Sequence, residues 1–594
     1  MIEAHTVSHL ERKFQGIGAS PGIITGKVFV YGRDEVAVVQ KEIRGEDVGS
    51  EIGRFEQALL LTRQQLQEIQ KRIIEDLGEN DGAIFDAHLL VLDDPSLIDE
   101  VVRRIQEEHQ NVEFAFENVS TQYFKSLLNI EDAYLRERAA DIKDVAHRVL
   151  RNLEGQSSQD LRTLVEPCIV LAYDLSPSDT ATLDRAKVLG FCTDIGSRTS
   201  HTAIMARAMD IPAVVGLHDS SHQIESGCFA LLDGYGGWLY INPSEQTLYD
   251  YGQLEHKRHT IEVSLESLRD LPSETTDHVR VMLGANIEMP SDVPHVLENG
   301  ADGVGLFRTE YIFINRKDMP TEDEQYRAYA EVAEKMNPKP VIIRTLDLGG
   351  DKFLSHLEVA REMNPFLGWR AIRFCLERTD IFQDQLRAIL RASRLGNVQI
   401  MYPMISGVGE LRRANAELDK ARQTLRERGI AFDEKIKVGC MIEIPSAALT
   451  ADLLAKETNF FSVGTNDLIQ YSLAVDRVNE KIAHLYEPTH PAIIRSLKNI
   501  ADAAHKAGIP AGICGEMAGD VTMAPLLVGM GFDELSTSPS VVPQLKKLVR
   551  SMSKAQANEV VHQALELSTG DEIRKLSVNL AKSIAPDIME LSAN

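Results

Sequence analysis

The sequence predicts a multidomain α/β protein: a small α/β domain interrupted by an inserted helical bundle, then a (β/α)8 barrel of the TIM type. Three observations predict it. Helical periodicity runs from about residue 45 to 155, with strand-like segments on both sides of it. A strand–turn–helix unit, GSRTSHTAIMARAMDIPAVVG at Gly196–Gly216, follows the bundle. The C-terminal half then alternates strand-like segments with mostly helical stretches: Val279–Ile287, Gly303–Phe307, Val341–Leu346, Val398–Met404, Ile436–Ile442, Phe460–Val463, Ala511–Cys514 and Glu534–Thr537.

A chain of 594 residues is too long for one core, so about three or four structural units are expected. With 43% hydrophobic and 26% charged residues it has the composition of a globular protein. The formal charge of -26 argues against nucleic acid and anionic membrane as partners and suits a basic protein partner. Cys168, Cys192, Cys228, Cys375, Cys440 and Cys514 are scattered, with no CxxC or zinc spacing, and read as free thiols in a reducing compartment. No signal-peptide pattern and no bilayer-length apolar run is found, which predicts a cytoplasmic protein without membrane insertion.

In chain order, residues 1–14 form a polar N-terminal extension. Gly16–Gly32 reads as a turn-rich stretch leading into a short strand, Lys27–Tyr31; its glycines do not match GxGxxG. The small α/β domain is assigned to 15–44 and 156–246, and the helical insert to 45–155. Ile52, Phe55, Leu59, Leu66, Ile69 and Ile73 carry the periodicity of that insert, with breaks at Gly78–Gly82, Asp93–Pro95 and Asn129–Asp132. Its acid-rich faces read as solvated, and Phe85, His88, Leu89 and Leu92 as core rather than a docking face. A charged linker helix spans 247–271, and the barrel spans 272–594.

His201 is the candidate nucleophile. Gly196 and Ser197 supply the turn, and Thr199 or Ser200 caps a helix beginning near His201. First-turn N–H groups and the positive dipole end favour an anion there. An imidazole at that place can attack a phosphoryl group whose oxygens are held by Arg198, Thr199 and the helix end. A histidine in this position can also simply pack or cap; the R-T-S-H order at a strand–helix junction favours a covalent phosphate carrier. Asp141, on the helix carrying ERAADIK, could touch the same region.

The barrel supplies the second constellation, because its chemistry belongs at the C-terminal strand ends. Arg308 follows the second strand, Arg344 and Asp347 lie at the third, Glu443 follows the fifth, Asn466 and Asp467 the sixth, and Cys514 ends the seventh. Any one of these reads as a rim ion pair; their convergence does not. Glu443 and Asp467 are hard oxygen ligands of the kind Mg2+ uses. Arg308, Arg344 and the loops with Lys352, Arg370 and Arg477 can bind phosphate and carboxylate.

Six motifs carry a family resemblance: SRTSHTAIMAR (197–207), GVGLFRTE (303–310), RTLDLGGDK (344–352), NPFLGWRAIR (364–373), GTNDLIQYSLAVDR (464–477) and CGEMAGD (514–520). From about residue 15 onward the chain resembles Enzyme I of the bacterial sugar phosphotransferase system, the phosphoenolpyruvate–protein phosphotransferases. The resemblance implies a swivelling phosphohistidine domain with an inserted bundle that docks the histidine-containing phosphocarrier protein. It also implies a barrel that binds phosphoenolpyruvate and forms a homodimer. By matching position, His201 is the phosphorylated residue and Cys514 the proton donor. Arg308, Arg344, Arg370, Asn466, Asp467 and Arg477 bind phosphoenolpyruvate, and Glu443 and Asp467 bind Mg2+. Ser197 stands where the family usually has glycine, and the N-terminal extension has no family role. A pyruvate phosphate dikinase or phosphoenolpyruvate synthase would share these modules but needs an ATP-binding domain that residues 1–195 do not show. A non-enzymatic phospho-sensor would have little reason to keep the barrel rim.

Overall fold

A computed structural model of the chain describes residues 11–32, 38–77, 84–128, 133–154, 161, 164, 166–175, 177–180, 183, 187–197, 200–209, 211–314, 316, 318–349, 364–477, 479 and 481–592. The chain divides into two compact units, Met1–His256 and Lys257–Asn594.

The first unit holds an eight-stranded sheet in the order β1-β8-β7-β3-β4-β5-β6-β2. Its strands are β1 (Arg12–Gln15), β2 (Ile17–Ser20), β3 (Ile23–Tyr31), β4 (Cys168–Ala172), β5 (Val188–Thr193), β6 (Ala213–Val215), β7 (Phe229–Asp233) and β8 (Trp238–Ile241). Strands β3, β4, β5 and β6 run parallel, and β7, β8, β1 and β2 pair antiparallel. The central strand β4 is apolar and buried along its whole length, as a strand covered on both faces must be.

Two expectations are corrected at the start of the chain. Residues Arg12–Gln15 are a paired edge strand, with Arg12 opposite Ile241 and Gln15 opposite Trp238. The stretch Gly16–Gly32 is mostly strand rather than turn. Gly16 and Gly18 serve close backbone approach: a Cβ on Gly16 would lie 2.5 Å from the Val215 carbonyl oxygen and one on Gly18 closer still to that of Gly234, and the Gly16 N–H donates to Gly237 O at 2.8 Å.

Between β3 and β4 stand the helices Val48–Leu77, Ile84–Leu92, Pro95–Glu107, Val112–Leu128 and Ala133–Glu154. Phe55, Leu66, Phe85, Val101, Val112, Phe116 and Val149 form their common core. Phe85, His88 and Leu92 are buried and Leu89 half-buried, so that face is core. Asp94 caps Pro95–Glu107 by accepting from the Ser96 N–H, with Pro95 in the first turn. A further break at 108–111, where His109 takes φ of 50°, has no glycine or proline to announce it.

The second unit is a closed parallel barrel. Its strands are β9 (Met282–Ile287), β10 (Gly303–Phe307), β11 (Val341–Arg344), β12 (Val398–Tyr402), β13 (Lys437–Ile442), β14 (Phe460–Val463), β15 (Ala511–Ile513) and β16 (Glu534–Thr537). Closure is made by β16 on β9, from Glu534 opposite Met282 to Thr537 opposite Ala285. The helix Glu245–Glu266 carries a narrow apolar contact, and its Ile261 and Leu265 join the outer core of the barrel.

The barrel interior is divided. Leu306, Ile342, Met401, Met441, Phe460 and Cys514 form an apolar cluster. The side made by β9, β15 and β16 is polar, with Asn286, Glu534 and Ser536. Glycines make the room: a Cβ on Gly284 would meet Glu534 Oε1 at 2.8 Å and Ser536 Oγ at 3.0 Å.

Candidate active site

The strand ends of the barrel open on a cavity of about 600 Å3 lined by Arg308, Arg344, Arg370, Glu443, Asn466, Asp467, Arg477 and Cys514. Among the described residues, every barrel residue expected from the sequence as catalytic, substrate-binding or metal-binding lies on one wall or another of a single chamber. Lys352 falls outside the described residues, as do Arg198 and Thr199.

Local structure sets each side chain. Arg308 follows β10, and its backbone N–H donates to Ile287 O. Glu443 follows β13, and its Oε1 accepts the Met404 N–H at 2.5 Å. A Cβ on Gly464 would meet Glu443 Oε2 at 2.5 Å, so glycine at the end of β14 leaves the carboxylate its place. Asn466 and Asp467 stand in the first turn of the helix Thr465–Leu473, where N–H groups are free of intrahelical partners. Met404, Ala371 and Ala474 hold positive φ of 55°, 53° and 54°, so three non-glycine residues near this mouth sit in the left-handed region.

The arginines are held by carboxylates. Arg344 pairs with Glu310 and Asp347, each at 2.9 Å. Arg370 pairs with Asp347 at 2.7 Å and with Asp467 at 3.5 Å. Arg308 reaches Glu288 at 2.8 Å. Burial opposes the charge on Arg344, and Glu310 and Asp347 outweigh it, holding the guanidinium protonated. Arg344 Nε and Arg477 Nη1 are nevertheless buried without a hydrogen-bond partner among the described residues. Burial raises the pKa of Glu443, and the Asp467 carboxylate raises it further; Asp467 is raised by burial against the pull of Arg370.

Six carboxylates and four guanidinium groups line the chamber. Buried donors point to an anionic ligand, while two carboxylates that discourage each other's ionisation point to a cation between ligand and wall. Glu443 and Asp467 fit Mg2+ as donors, since that ion takes one or two carboxylates and fills the rest with water and phosphate oxygens. No group of three or more His, Cys, Asp or Glu that could hold a metal occurs among the described residues.

Cys514 follows β15 directly and is 3% exposed, its Sγ 3.6 Å from Val463 O. Burial pushes its thiol up to about 11, against the pull of Ser462, Arg344 and Arg308. Several residues in or beside the chamber carry no signal of their own in the sequence. Glu310 and Tyr471 lie inside recognised motifs and are placed only by the closed barrel: Glu310 on Arg344, and Tyr471 Oη donating to Phe366 O at 2.6 Å. Glu516 accepts from Asn466 Nδ2 at 2.9 Å and donates its own N–H to Asn466 Oδ1 at 2.9 Å, fixing that amide in both directions.

In the first unit, His201 begins the helix His201–Ala208, capped by Ser200, whose side chain accepts the Ala203 N–H. Of the two caps expected, Ser200 is the one described. Gly196 takes φ of 123° in the turn before it. Thr202 Oγ1 donates to Leu175 O at 2.9 Å and Arg207 Nη1 to Ala19 O at 2.9 Å, tying the helix to the sheet. The side chains of His201 and Asp141 lie outside the described part.

Three family models match: PEP-utilising enzyme, N-terminal, over residues 15–138; the mobile domain over 164–237; and the PEP-binding domain over 263–554. The chain is 44% identical over 563 residues to the phosphoenolpyruvate-protein phosphotransferase of Bacillus sp. (strain S), covering 95% of this chain and 97% of that one. It is 42% identical over 573 residues to the same-named protein of Staphylococcus aureus (strain MSSA476), covering 96% and 100%. The NMR solution structure of an Enzyme I (nEIt) protein aligns at 40% identity and a TM-score of 0.37, covering 41% of this chain and 99% of that one. With such identity over nearly the whole length of both chains, this protein belongs to the phosphoenolpyruvate-protein phosphotransferases, a family of phosphoenolpyruvate-utilising enzymes.

Proposed function

We propose that this chain transfers the phosphoryl group of phosphoenolpyruvate through a phosphohistidine at His201 to the histidine-containing phosphocarrier protein of the sugar phosphotransferase system, releasing pyruvate. The observation that carries this reading is the single chamber on which four arginines, Glu443, Asp467 and Cys514 converge. Its donors suit a phosphate and a carboxylate on one small molecule. A divalent cation held by Glu443 and Asp467, Mg2+ in this reading, supplies charge neutralisation at the phosphate.

Arg308, Arg344, Arg370, Arg477 and Asn466 bind and orient the substrate. His201 attacks phosphorus in line, the bond to the enol oxygen breaks, and the arginines stabilise the oxygens that gain charge. The thiol of Cys514 then gives its proton to the methylene carbon, and pyruvate forms. Phosphate on His201 passes next to the carrier, which requires His201 to visit two partners in turn.

The same reading assigns 15–44 and 156–246 to the phosphohistidine domain, 45–155 to carrier binding, 247–271 to the linker and 272–594 to substrate binding and homodimerisation. It places the protein in the cytoplasm. No helix among the described residues is long and apolar enough to cross a membrane.

The test is acid-labile protein phosphorylation with phosphoenolpyruvate and Mg2+, against ATP and Mg2+. Phosphoenolpyruvate alone should label the chain, EDTA should stop it, and His201→Ala should abolish it while leaving the fold intact. Labelling by ATP, or labelling that survives in His201→Ala, overturns the reading.

A further inference from the structure

We infer that Gln385 is a positioning residue for the substrate arginines, holding the end of β11 so that Arg344, and through Asp347 also Arg370, keep their places in the chamber. This role rests on the reading of those arginines as binders of phosphoenolpyruvate.

Gln385 occupies a core position. In the helix Thr379–Ala392 it shares one face with Ile381, Phe382, Leu386 and Ile389, all buried, and is itself 1% exposed. A leucine would satisfy the helical periodicity there. An amide in such a place is destabilising unless each of its polar atoms finds a partner. Here each does. Gln385 Oε1 accepts the Leu346 N–H at 2.9 Å, and Nε2 donates to Thr309 Oγ1 and to Tyr329 Oη, each at 3.2 Å. A backbone N–H can only donate, so the Leu346 contact fixes which end of the amide faces β11.

The amide is the centre of a buried chain that runs in one direction. Gln325 Nε2 donates to Pro320 O at 3.1 Å, and Gln325 Oε1 accepts from Tyr329 Oη at 3.2 Å. Tyr329 Oη accepts from Gln385 in turn. On the other branch Thr309 Oγ1 accepts from Gln385 and donates to Arg344 O at 3.0 Å. Gln325, Tyr329 and Thr309 are all fully buried. Each hydroxyl in the chain therefore gives one hydrogen bond and takes one. Reversing any member would set a buried donor against a donor, so the network admits one arrangement.

The chain ends on the backbone that carries Arg344. Thr345 still bonds β12, its N–H donating to Met401 O at 2.9 Å. Beyond it the next two N–H groups turn to side chains. Leu346 donates to Gln385 on the helix side of the wall, and Asp347 to Glu310 Oε1 at 3.1 Å on the chamber side. Asp347 then pairs with Arg344 at 2.9 Å and with Arg370 at 2.7 Å. Arg344 is thus held at its carbonyl by Thr309 and at its guanidinium by Glu310 and Asp347. The holds through Thr309 and Asp347 both lead back to Gln385. Arg477 is anchored elsewhere, its N–H donating to Gln470 Oε1 at 3.2 Å.

The experiment uses the full chain as parent and as Gln385→Leu, Thr309→Val, Arg344→Lys and Arg477→Lys, with Gln385→Leu also combined with each arginine variant. Single-turnover labelling of His201 over a range of phosphoenolpyruvate concentrations reads the half-saturating concentration and the limiting rate separately. Gln385→Leu should raise the half-saturating concentration about ten-fold and leave the limiting rate within about two-fold of the parent. Thr309→Val keeps the shape and loses only the link to Arg344 O; it should raise the half-saturating concentration about three-fold. Exchange of phosphate between His201 and the carrier, which does not use the barrel, should stay at the parental rate. On the Arg344→Lys background Gln385→Leu should add about two-fold or less, whereas on the Arg477→Lys background its effect of about ten-fold should remain. An unchanged half-saturating concentration in Gln385→Leu, or an equal effect on the two backgrounds, overturns the inference. Should Gln385→Leu fail to fold, Thr309→Val takes its place in the same comparison, with the same overturning result. Failure of the underlying reading looks different: Arg344→Lys alone would then leave the half-saturating concentration at the parental value.

Discussion

A thiol whose pKa is pushed up to about 11 is a poor nucleophile and a reliable acid at neutral pH, because it stays protonated until a strongly basic carbon presents itself. At Cys514 the cause is burial, and the chamber's arginines temper it. A small buried cysteine that only fills space would tolerate alanine. Cys514→Ala should instead slow pyruvate formation by about 10²–10⁴ while His201 still accepts phosphate from the phosphorylated carrier, since that exchange involves no carbon acid. Measuring both half-reactions on one preparation decides it: equal loss in both means damage to the fold, and full retention in both returns Cys514 to the core. Around it the unassuming residues matter as much, because Gly464 admits the Glu443 carboxylate and Glu516 fixes the Asn466 amide.

At the scale of elements, the barrel's interior departs from the branched apolar layers usual for the fold. The seam under β9, β15 and β16 carries Glu534, whose Oε1 is buried without a hydrogen-bond partner among the described residues. Burial, with Asp302 and Asp533 nearby, pushes its carboxyl up from 4.5 to about 7. A raised carboxyl pKa means that the unfolded chain loses the proton first. Stability from neutral Glu534 is therefore full below about pH 4.5 and is lost as pH climbs through about 7. Because part of the residue meets solvent, the loss should be on the order of 1 kcal/mol. Glu534→Gln, neutral at every pH, should lack that component when barrel unfolding in urea is followed between pH 4.5 and 8. Parallel pH curves for parent and variant would mean that the carboxyl is already ionised in the folded barrel.

On the scale of the whole molecule, two units with separate cores imply separate folding, and the division falls at His256–Lys257 inside a continuous helix. Residues 1–256 expressed alone should accept phosphate on His201 from phosphorylated carrier yet fail with phosphoenolpyruvate; use of phosphoenolpyruvate by that fragment would remove the barrel from the reaction. Much of this organisation is written locally. The strand Gly303–Phe307, the cap Ser200 before His201 and the strand ends bearing Arg308, Glu443 and Cys514 follow from periodicity, capping and turn chemistry that act over a few residues. What stayed hidden depends on partners far away in sequence. Arg12–Gln15 becomes a strand only because Trp238–Ile241 offers an edge, and glycines at 16 and 18 that look like turns are close contacts with distant carbonyls. Glu310 on Arg344 and Glu516 on Asn466 are likewise products of barrel closure. The sequence by itself determined which chemical groups end the strands, because alternation and turns are local; only the tertiary structure decided which of them meet, because closing the barrel sets those distances.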